Sequence, residues 1–326
     1  MLDNLSRIGK LQPETVLPPL TGPVWGYRRR ARLSVRHVFR KGRVLVGFRE
    51  RETPIVAVLD ACEVLDPVFG KRLTELGKLI AGLSIHSQLP QIDVAVADNA
   101  AAMVLRVMRV PTAADRERLA AYSRASGIWI WLQPGDPGKL EPLLPDTPEL
   151  SYRLPMHDIE IRFAPNDFIQ VNGDINRRMV DQTLELLAPL PRHRVLELFS
   201  GLGNFSLPLA RRVARVVAVE GEAGLVTRAR RNAVLNGLDN IEHHVADLSA
   251  PDANANWLAG DYDAVLIDPP RTGAREVLPL VAARRPRRIL YVSCHPGTLA
   301  RDAGQLVHAH GYRLRAAGIM DMFPHT

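Results

Sequence analysis

The feature that most constrains the fold is a regular alternation of apolar strands and helices in the second half of the chain. Short, nearly continuous apolar runs predict strands at residues 194–199, 213–220, 241–246, 264–268 and 288–293. Helical patterns lie between them, as at 174–187, 222–236 and 297–310. Strands that are apolar throughout are buried on both faces, and strands joined through helices run parallel. The pattern therefore predicts an α/β domain with a doubly wound, Rossmann-like parallel sheet.

The first half of the chain follows a different pattern. Short alternating runs at residues 31–58, with a turn signal at Lys41-Gly42, and paired runs on either side of Asp98-Asn99 predict antiparallel strands, and a helix is predicted at 113–126. A chain of 326 residues is long for one domain. We predict an N-terminal linker at 1–24, a smaller α+β domain at 25–160 and the α/β domain at 161–326.

Positive charge is concentrated near the start of the predicted α+β domain. Lys and Arg together number 42 against 35 Asp and Glu, a net charge of +7. Eight basic residues fall within residues 28–43, directly after Trp25 and Tyr27: Arg28, Arg29, Arg30, Arg32, Arg36, Arg40, Lys41 and Arg43. Such a segment suits phosphates and stacked bases. A solvated strand face with ion-paired arginines is the equally weighted alternative.

The chain has two cysteines, Cys62 and Cys294. Two isolated thiols exclude a disulfide framework and a self-contained zinc site made of several cysteines, and they fit a reducing compartment. No apolar run reaches the ~18–20 residues that a membrane span needs. The first residues also lack the apolar core of a secretory signal. These observations predict a cytoplasmic protein with no membrane partner.

A predicted strand leads into a glycine turn at Gly201-Leu-Gly203 and then into a helix. The two glycines allow a sharp turn and close approach of a ligand. Ser206 stands where a dinucleotide fingerprint would have its third glycine. Glu220, at the end of the next strand, is placed to accept both hydroxyls of a ribose, as in NAD enzymes and methyltransferases alike. A purely structural strand–turn–helix remains the alternative.

Two more acidic residues follow predicted strands, at the carboxyl ends where α/β proteins bind ligands. Asp247 follows the strand at 241–246 and is placed to meet the amine of an adenine. Asp268 opens the sequence Asp-Pro-Pro-Arg, which ends at Arg271. The two prolines fix the backbone after the strand, as a site that positions a reactive group requires.

Cys294 follows the last predicted strand, and Pro296 stands at the first turn of the next helix. Exposed N–H groups at a helix N-terminus stabilise a thiolate, so Cys294 is a candidate nucleophile. The alternative is a cysteine that only packs at a strand end. His295 is interpreted as structural, because neighbours along an extended chain point apart.

Together these segments resemble the family of S-adenosylmethionine-dependent RNA uracil-5-methyltransferases, and most closely its 23S ribosomal RNA branch. The resemblance rests on ordered motifs spread over nearly the whole chain: Trp25-Gly-Tyr-Arg-Arg-Arg-Ala-Arg-Leu-Ser34, Phe168-Ile-Gln-Val-Asn172, Leu198-Phe-Ser-Gly-Leu-Gly-Asn204, Asp268-Pro-Pro-Arg271, Ser293-Cys-His-Pro296 and Asp321-Met-Phe-Pro-His-Thr326.

The resemblance implies a Rossmann-like methyltransferase domain preceded by an RNA-binding α+β domain. It implies methyl transfer from S-adenosylmethionine to carbon 5 of a uridine in 23S ribosomal RNA. The sequence is silent on oligomeric state, and a monomer is the expectation. Cys294 would attack carbon 6 and so activate carbon 5, and Arg271 would shape the uracil pocket. The cofactor site would be lined by Gln170, Phe199, Asn204, Glu220, Asp247 and Asp268.

The sequence also departs from the family pattern. Members usually begin with a β-barrel RNA-binding domain, and the 23S branch holds an iron–sulfur cluster on four cysteines. Here Cys62 alone matches a cluster position, so it is expected only as a remnant ligand, with no cluster in this chain. The family's Gly-His-x-Glu segment, whose glutamate is the implied carbon 5 base, would follow Thr326. These departures predict a fragment.

Two other functions stay open on the sequence. An amino-methyltransferase acting on an RNA base is the first, although such enzymes favour an aromatic residue where Arg271 stands and have no need of Cys294. The second is an RNA-binding fragment that is non-catalytic or cannot complete turnover, because the implied base is missing.

Overall fold

The computed structural model of the protein describes residues 1–38, 43–50, 52–53, 55–135 and 139–325. The helices are α1 (Leu2–Asn4), α2 (Pro67–Gly70), α3 (Leu73–Ala81), α4 (Ala113–Ser126), α5 (Gly173–Leu187), α6 (Ser206–Ala210), α7 (Ala223–Leu235), α8 (Leu278–Ala283) and α9 (Pro296–His310). A short π-helix spans Leu5–Gly9, and 3₁₀ turns span His86–Gln88, Pro155–His157 and Asn256–Leu258.

The strands are β1 (Thr15–Val16), β2 (Arg30–Val38), β3 (Arg43–Gly47), β4 (Gln91–Val96), β5 (Ala101–Val107), β6 (Ile128–Pro134), β7 (Glu141–Pro142), β8 (Leu150–Leu154), β9 (Ile159–Phe163), β10 (Arg194–Leu198), β11 (Arg215–Glu220), β12 (Ile241–Val245), β13 (Ala264–Ile267), β14 (Arg288–Tyr291) and β15 (Ala316–Ala317). The predicted turn at Lys41-Gly42 lies outside the described residues.

The chain forms two compact units, each built from several segments. The first, here called the α/β unit, comprises residues 1–21, 153–161 and 177–321. The second, the α+β unit, comprises residues 22–152, 162–176 and 322–326. The assignment of residues 1–24 to a linker, 25–160 to an RNA-binding domain and 161–326 to a methyltransferase domain stays a prediction.

The α/β unit is built on a parallel sheet whose described strands follow the order β12-β11-β10-β13-β14. The chain adds strands outward from β10 in one direction, then returns to add β13 and β14 on the other side. This reversal makes the gap between β10 and β13 the topological switch point, where such sheets bind ligands. The sheet confirms the predicted doubly wound architecture, and the predicted strands end within two residues of the observed ones.

The first residues of the chain are folded into the α/β unit. Leu5 and Leu11 are buried, and β1 pairs in parallel with β15. Gly9 lies so close to α9 that a Cβ there would meet the carbonyl oxygen of Ala300 at 2.5 Å. A ring nitrogen of His308 hydrogen-bonds to the carbonyl oxygen of Gly9 at 2.9 Å. Residues 1–21 thus contribute core side chains and backbone pairing to this unit.

The α+β unit contains a sheet with the described strand order β3-β2-β4-β5-β6-β7. Its neighbours pair antiparallel except β5 and β6, which are parallel, so the predicted mainly antiparallel architecture is confirmed. One face of the sheet packs on α3 and α4, and Leu33, Ile92, Leu105, Leu76 and Leu119 belong to this core. A separate two-stranded sheet pairs β8 with β9, and both strands contain residues of each unit.

None of the helices in the described parts of the chain is both long enough and apolar enough to cross a membrane.

Candidate active site

The carboxyl edge of the parallel sheet gathers five of the residues predicted for the site. In the spatial order of the strands, Asp247 follows β12, Glu220 ends β11, Phe199 follows β10, Asp268 follows β13 and Cys294 lies beyond β14. Neighbouring strands are ~4.8 Å apart, so Glu220 and Cys294 stand three strand spacings, or ~14 Å, from each other along this edge. That length suits an extended ligand that reaches from Glu220 toward the strand of Cys294.

The turn after β10 has an unusual backbone. Phe199, Gly201 and Gly203 have φ angles of 63°, 55° and 97°. A Cβ at Gly203 would also lie 3.0 Å from Cγ of Leu207. Glycine meets both demands because it has no side chain and adopts positive φ without strain. The turn therefore presents backbone close to the switch point, and Asn204 directly follows it.

Glu220 is held by two backbone donors. The N–H of Gly201 donates to Oε2 at 3.0 Å, and the N–H of Glu222 donates to Oε1 at 3.0 Å. A carboxylate has about four lone-pair sites, so acceptor capacity remains after both bonds are made. The glycine turn thus fixes the orientation of the carboxylate that is predicted to accept the ribose hydroxyls.

Asp247 is exposed, and its Oδ1 accepts hydrogen bonds from the N–H and the Oγ–H of Ser249 at 2.8 and 2.6 Å. The Ser249 hydroxyl and backbone lower the pKa of Asp247, because both bonds favour the ionised form. Asp247 is thus an oriented, ionised acceptor at the edge of the sheet, as contact with an adenine amine requires.

Asp268 lies at the switch point in a less polar environment. Burial raises the pKa of its carboxyl group to about 6, because desolvation disfavours the charged form. Asp268 follows β13, whose neighbours are β10 and β14. Its carboxyl group therefore ionises much closer to neutrality than an ordinary aspartate.

Sequence reasoning missed Glu197, a buried carboxyl group on β10. Burial raises its pKa to about 8, an effect that the hydroxyl of Ser206 opposes by donating a hydrogen bond and that Asp268 and Glu220 reinforce. The sequence marked this position only as part of an apolar strand. The sequence signal for a buried carboxyl group was a single glutamate among the apolar residues of a predicted strand.

The Cys294 thiol is exposed, and α9 begins two residues later with Pro296 in its first turn. His295 is the N-cap of α9, and its Nδ1 accepts the N–H of Thr298 at 3.2 Å. The structure thus confirms a structural role for His295. It also leaves Cys294 accessible to a large substrate, next to a helix N-terminus.

Asp302, a second residue missed by sequence reasoning, is fully buried in α9. Its Oδ2 accepts the hydroxyl of Tyr291 at 2.6 Å and the N–H of Ala274 at 2.8 Å, while Arg301 donates to its Oδ1 at 2.8 Å. Tyr291 ends β14, and Ala274 lies on the loop after β13. One carboxylate thus joins α9 to both segments. Its partners are distant in sequence, so no local pattern indicates this role.

Two further bonds tie the loop that contains Arg271 to α9. The hydroxyl of Thr298 donates to the carbonyl oxygen of Arg271 at 3.1 Å, and Arg301 donates to the carbonyl oxygen of Thr272 at 2.9 Å. The Arg271 side chain itself is exposed. The backbone of Asp-Pro-Pro-Arg is therefore anchored beside the helix that follows Cys294, and the guanidinium faces solvent.

Two motifs that are distant in sequence meet in the α+β unit. The ring of Trp25 stacks on His325 with centroids 4.0 Å apart and an interplanar angle of 10°. Tyr27 is buried, and its hydroxyl donates to the carbonyl oxygen of Pro324 at 2.8 Å. Both rings thus have intramolecular partners, although Trp25 remains 54% exposed, and the interpretation of this segment as a platform for stacked bases stays a prediction. Thr326, the last residue of the C-terminal motif, lies outside the described residues.

Gln170 also lies in the α+β unit, on an irregular segment alongside the start of β2. Arg29 donates its N–H to the carbonyl oxygen of Val171 at 2.8 Å, and Arg30 donates from its guanidinium to the carbonyl oxygen of Asn166 at 2.6 Å. The basic motif thus positions the segment that carries Gln170. Its predicted contact with a cofactor stays a prediction.

Cys62 is partly buried, packs against the core of the α+β unit and donates its N–H to the carbonyl oxygen of Gly70 at 2.8 Å. Within the described ranges, no three His, Cys, Asp or Glu side chains are grouped so that they could hold a metal ion. The residues present therefore do not fit an iron–sulfur cluster, and no chemistry is assigned to one. A remnant ligand role for Cys62 stays a prediction.

Comparisons with known proteins agree with this geometry. The profile of the family described as tRNA (Uracil-5-)-methyltransferase matches residues 146–326. The whole chain is 57% identical to 74% of the 23S rRNA (uracil(1939)-C(5))-methyltransferase RlmD of Alkalilimnicola ehrlichii. It is 51% identical, over the same shares, to the enzyme of that name from Methylococcus capsulatus.

The chain belongs to the RNA uracil-5-methyltransferase family. A crystal structure of the Pyrococcus abyssi tRNA (uracil-54, C5)-methyltransferase in complex with S-adenosyl-L-homocysteine superimposes on the whole chain and on 79% of that protein, with a TM-score of 0.76 at 24% identity. At that identity the likeness shows the fold. Family membership confirms the resemblance drawn from the ordered motifs.

Proposed function

We propose that this protein transfers a methyl group from S-adenosylmethionine to carbon 5 of a uridine in 23S ribosomal RNA. The observation that carries the proposal is the order of Asp247, Glu220, Asp268 and Cys294 along one edge of the parallel sheet, in a chain of the RNA uracil-5-methyltransferase family. Acceptors for a nucleoside lie toward one end of the edge, and an accessible thiol lies at the other.

The carboxylates that follow β11 and β12 would hold the cofactor. The oriented carboxylate of Glu220 would hold the ribose, and Asp247 would accept the adenine amine. Phe199, Asn204, Asp268 and Gln170 are the further cofactor residues implied by the family motifs. When bound, S-adenosylmethionine supplies a methyl group made electrophilic by a positively charged sulfur.

Cys294 would act on the uracil ring. Its thiolate forms a bond to carbon 6, and the electrons of the carbon 5–carbon 6 double bond move into the adjacent carbonyl as an enolate, which makes carbon 5 nucleophilic. After carbon 5 has gained the methyl group, a base removes its proton, the double bond re-forms and the thiolate leaves. The exposed position of Cys294 suits a uridine turned out of its stack.

The Cys294 mechanism predicts a covalent adduct with RNA that contains 5-fluorouracil. Fluorine replaces the carbon 5 hydrogen and cannot be removed by a base as a proton is, so the reaction stops with the Cys294 sulfur still bonded to carbon 6. In the presence of S-adenosylmethionine, a band that survives denaturing electrophoresis is expected for the unmodified protein. Cys294→Ala should give no band.

Cys62→Ala is the matched control, because it removes the other thiol and should leave the adduct intact. A protein that binds S-adenosylmethionine yet gives no adduct would contradict the proposed function. An adduct that persists in Cys294→Ala would contradict the assignment of the nucleophile.

We further propose that the α+β unit binds the RNA and that the protein acts as a cytoplasmic monomer. Both cysteines are free thiols, as a reducing compartment would keep them, and the relatives named above are bacterial. Sedimentation equilibrium of the protein without RNA should give the mass of one chain, 36.1 kDa. A stable dimer would contradict the monomer.

A further inference from the structure

Resting on the proposed function, we propose that the second face of the sheet in the α+β unit binds RNA phosphates through Arg32, Arg36, Arg43, Arg49 and Arg106, here called the arginine face. Side chains alternate across a strand, so the odd-numbered residues of β2 that join the core, such as Leu33, fix Arg32 and Arg36 on the opposite side.

Strand register extends this assignment across the sheet. Residues that pair directly share a face, so Arg43, the partner of Val38, lies on the same side as Arg36. Arg106 pairs with Gln91, which pairs with Ser34. Arg49 donates a hydrogen bond to Oγ of Ser34 at 3.2 Å. The five arginines therefore share one side of the sheet, although they come from three strands and a loop.

The second face is closed at one end and open at the other. Ala95, Ala102, Val104 and Trp131 lie on this face and are buried. Toward the other end, Arg36, Arg43 and Arg49 are open to solvent and Arg106 is partly so. Arg32 is also exposed, although through Asp93 it lies in register with the buried Val104. The arginine face is thus accessible to solvent and borders the buried part of the same sheet face.

Charge on this surface is strongly unbalanced. Within the described residues of β2–β6, four of these arginines share the face with one carboxylate, Asp93, which pairs with Arg32 at 3.1 Å. The Arg32 side chain remains 72% exposed despite this pair. Arginine presents a rigid fork of donors that matches phosphate oxygens, so a polyanion is the ligand that this composition favours.

The same face also indicates the mode of binding. Trp131 on this face is buried and Trp129 is partly buried, and the exposed side chains that β2–β6 place on it are those of Arg32, Arg36 and Arg43. Contacts to phosphates position an RNA without reading its bases. The arginine face should therefore supply affinity that depends strongly on salt, while the choice of uridine is made elsewhere.

The test is a pair of double variants with equal changes of charge. Arg36→Glu/Arg43→Glu reverses two exposed charges on the arginine face. Arg116→Glu/Arg124→Glu reverses two on α4, whose residue Leu119 packs into the core on the other face of the sheet. Binding of in vitro-transcribed 23S ribosomal RNA is measured by filter retention between 50 and 300 mM KCl, together with S-adenosylmethionine affinity and thermal unfolding.

The arginine-face variant should bind this RNA at least about 10-fold more weakly, with the slope of log affinity against log salt reduced by about 2, since each lost phosphate contact removes about one unit. The α4 variant should bind within about 3-fold of the unmodified protein. Both variants should bind S-adenosylmethionine normally, because the residues proposed to contact it are unchanged.

An unchanged slope in the arginine-face variant would overturn the proposal, and so would equal losses in the two variants, which would reflect net charge alone. Failure of the proposed function is distinguishable, because it would appear as an unmodified protein that forms no adduct with 5-fluorouracil RNA. Retained formation of that adduct by the arginine-face variant, on a short oligonucleotide at saturating concentration, supports a surface that binds RNA outside the reaction centre.

Discussion

Two carboxyl groups on neighbouring strands of the parallel sheet are held in different ways. Glu220 ends β11, is partly exposed and accepts two backbone N–H groups. Glu197 lies within β10, is 1% exposed and accepts the hydroxyl of Ser206. The Glu220 carboxylate therefore keeps acceptor sites for a ligand, whereas the Glu197 carboxyl group is shielded from solvent. Substitution of Glu220 should change ligand binding, and substitution of Glu197 should change stability.

Glu220→Gln should weaken cofactor binding. The amide replaces one acceptor oxygen with a donor that faces the N–H of Gly201 or Glu222, which disturbs the orientation of the side chain and removes its charge. Hydrogen bonds to charged groups contribute about 1.5–3 kcal/mol, so the Kd for S-adenosylmethionine should rise roughly 10- to 100-fold in calorimetric titration. Glu222→Gln is the control. The Glu222 side chain is exposed, with its Oε1 3.9 Å from Nη2 of Arg228, so its substitution should affect the Kd little.

Glu197 should make the stability of the cofactor-free protein depend on pH. Burial raises its pKa from 4.5 to about 8, so at neutral pH the folded state holds the neutral acid while the unfolded chain is ionised. The stabilising effect of the neutral form is complete below the unfolded pKa and is lost as pH rises through the folded pKa. The free energy of unfolding should therefore fall between about pH 5 and pH 8 in urea titrations.

Glu197→Gln should flatten this pH dependence, because the amide keeps an acceptor for Ser206 and cannot ionise. A smaller slope should remain below about pH 6, since burial also raises the pKa of Asp268 to about 6. An equally steep decrease in Glu197→Gln and the unmodified protein would contradict the assignment to Glu197.

At the scale of elements, the turn between β10 and α6 depends on glycine. Gly203→Ala should destabilise the fold by about 2 kcal/mol or more, because a left-handed backbone costs an L-residue about 1–2 kcal/mol and the new Cβ would press on Leu207. Denaturant unfolding measures the loss, and cofactor affinity should fall with it.

Gly237→Ala is a matched control in the same unit. Gly237 has a φ of 64°, and a Cβ there would meet nothing within 4 Å. Only backbone strain of about 1 kcal/mol is expected, without loss of cofactor binding. Equal effects of the two substitutions would show that the contact with Leu207 is unimportant.

At the scale of the whole molecule, the first residues stabilise a unit whose sheet begins far along the chain. Leu5 is 1% exposed, whereas Leu2, three residues earlier, is 46% exposed. Leu5→Ala should lower the free energy of unfolding by about 2–5 kcal/mol, because it leaves a cavity in the core. Leu2→Ala should change it by less than about 0.5 kcal/mol. Equal, small effects in thermal or denaturant unfolding would show that the N-terminal segment is not part of the cooperative fold.

Local patterns predicted much of the α/β unit. Each apolar run became a strand at the expected place, because a strand buried on both faces tolerates little besides apolar residues. The positions of Glu220, Asp268 and Cys294 at strand ends followed from the same runs. Glu197 escaped prediction because one polar residue in an apolar strand has no distinct periodicity.

The sequence by itself determined the class of fold, the glycine turn and the set of side chains at the carboxyl edge of the sheet, because these depend on spacing within short segments. Only the tertiary structure decided that Asp302 joins Tyr291 to Ala274, that Trp25 stacks on His325 and that five arginines share one face. Each of these contacts joins residues from separate segments. Such contacts form only when strand register and core packing are fixed, so no local pattern of residues records them.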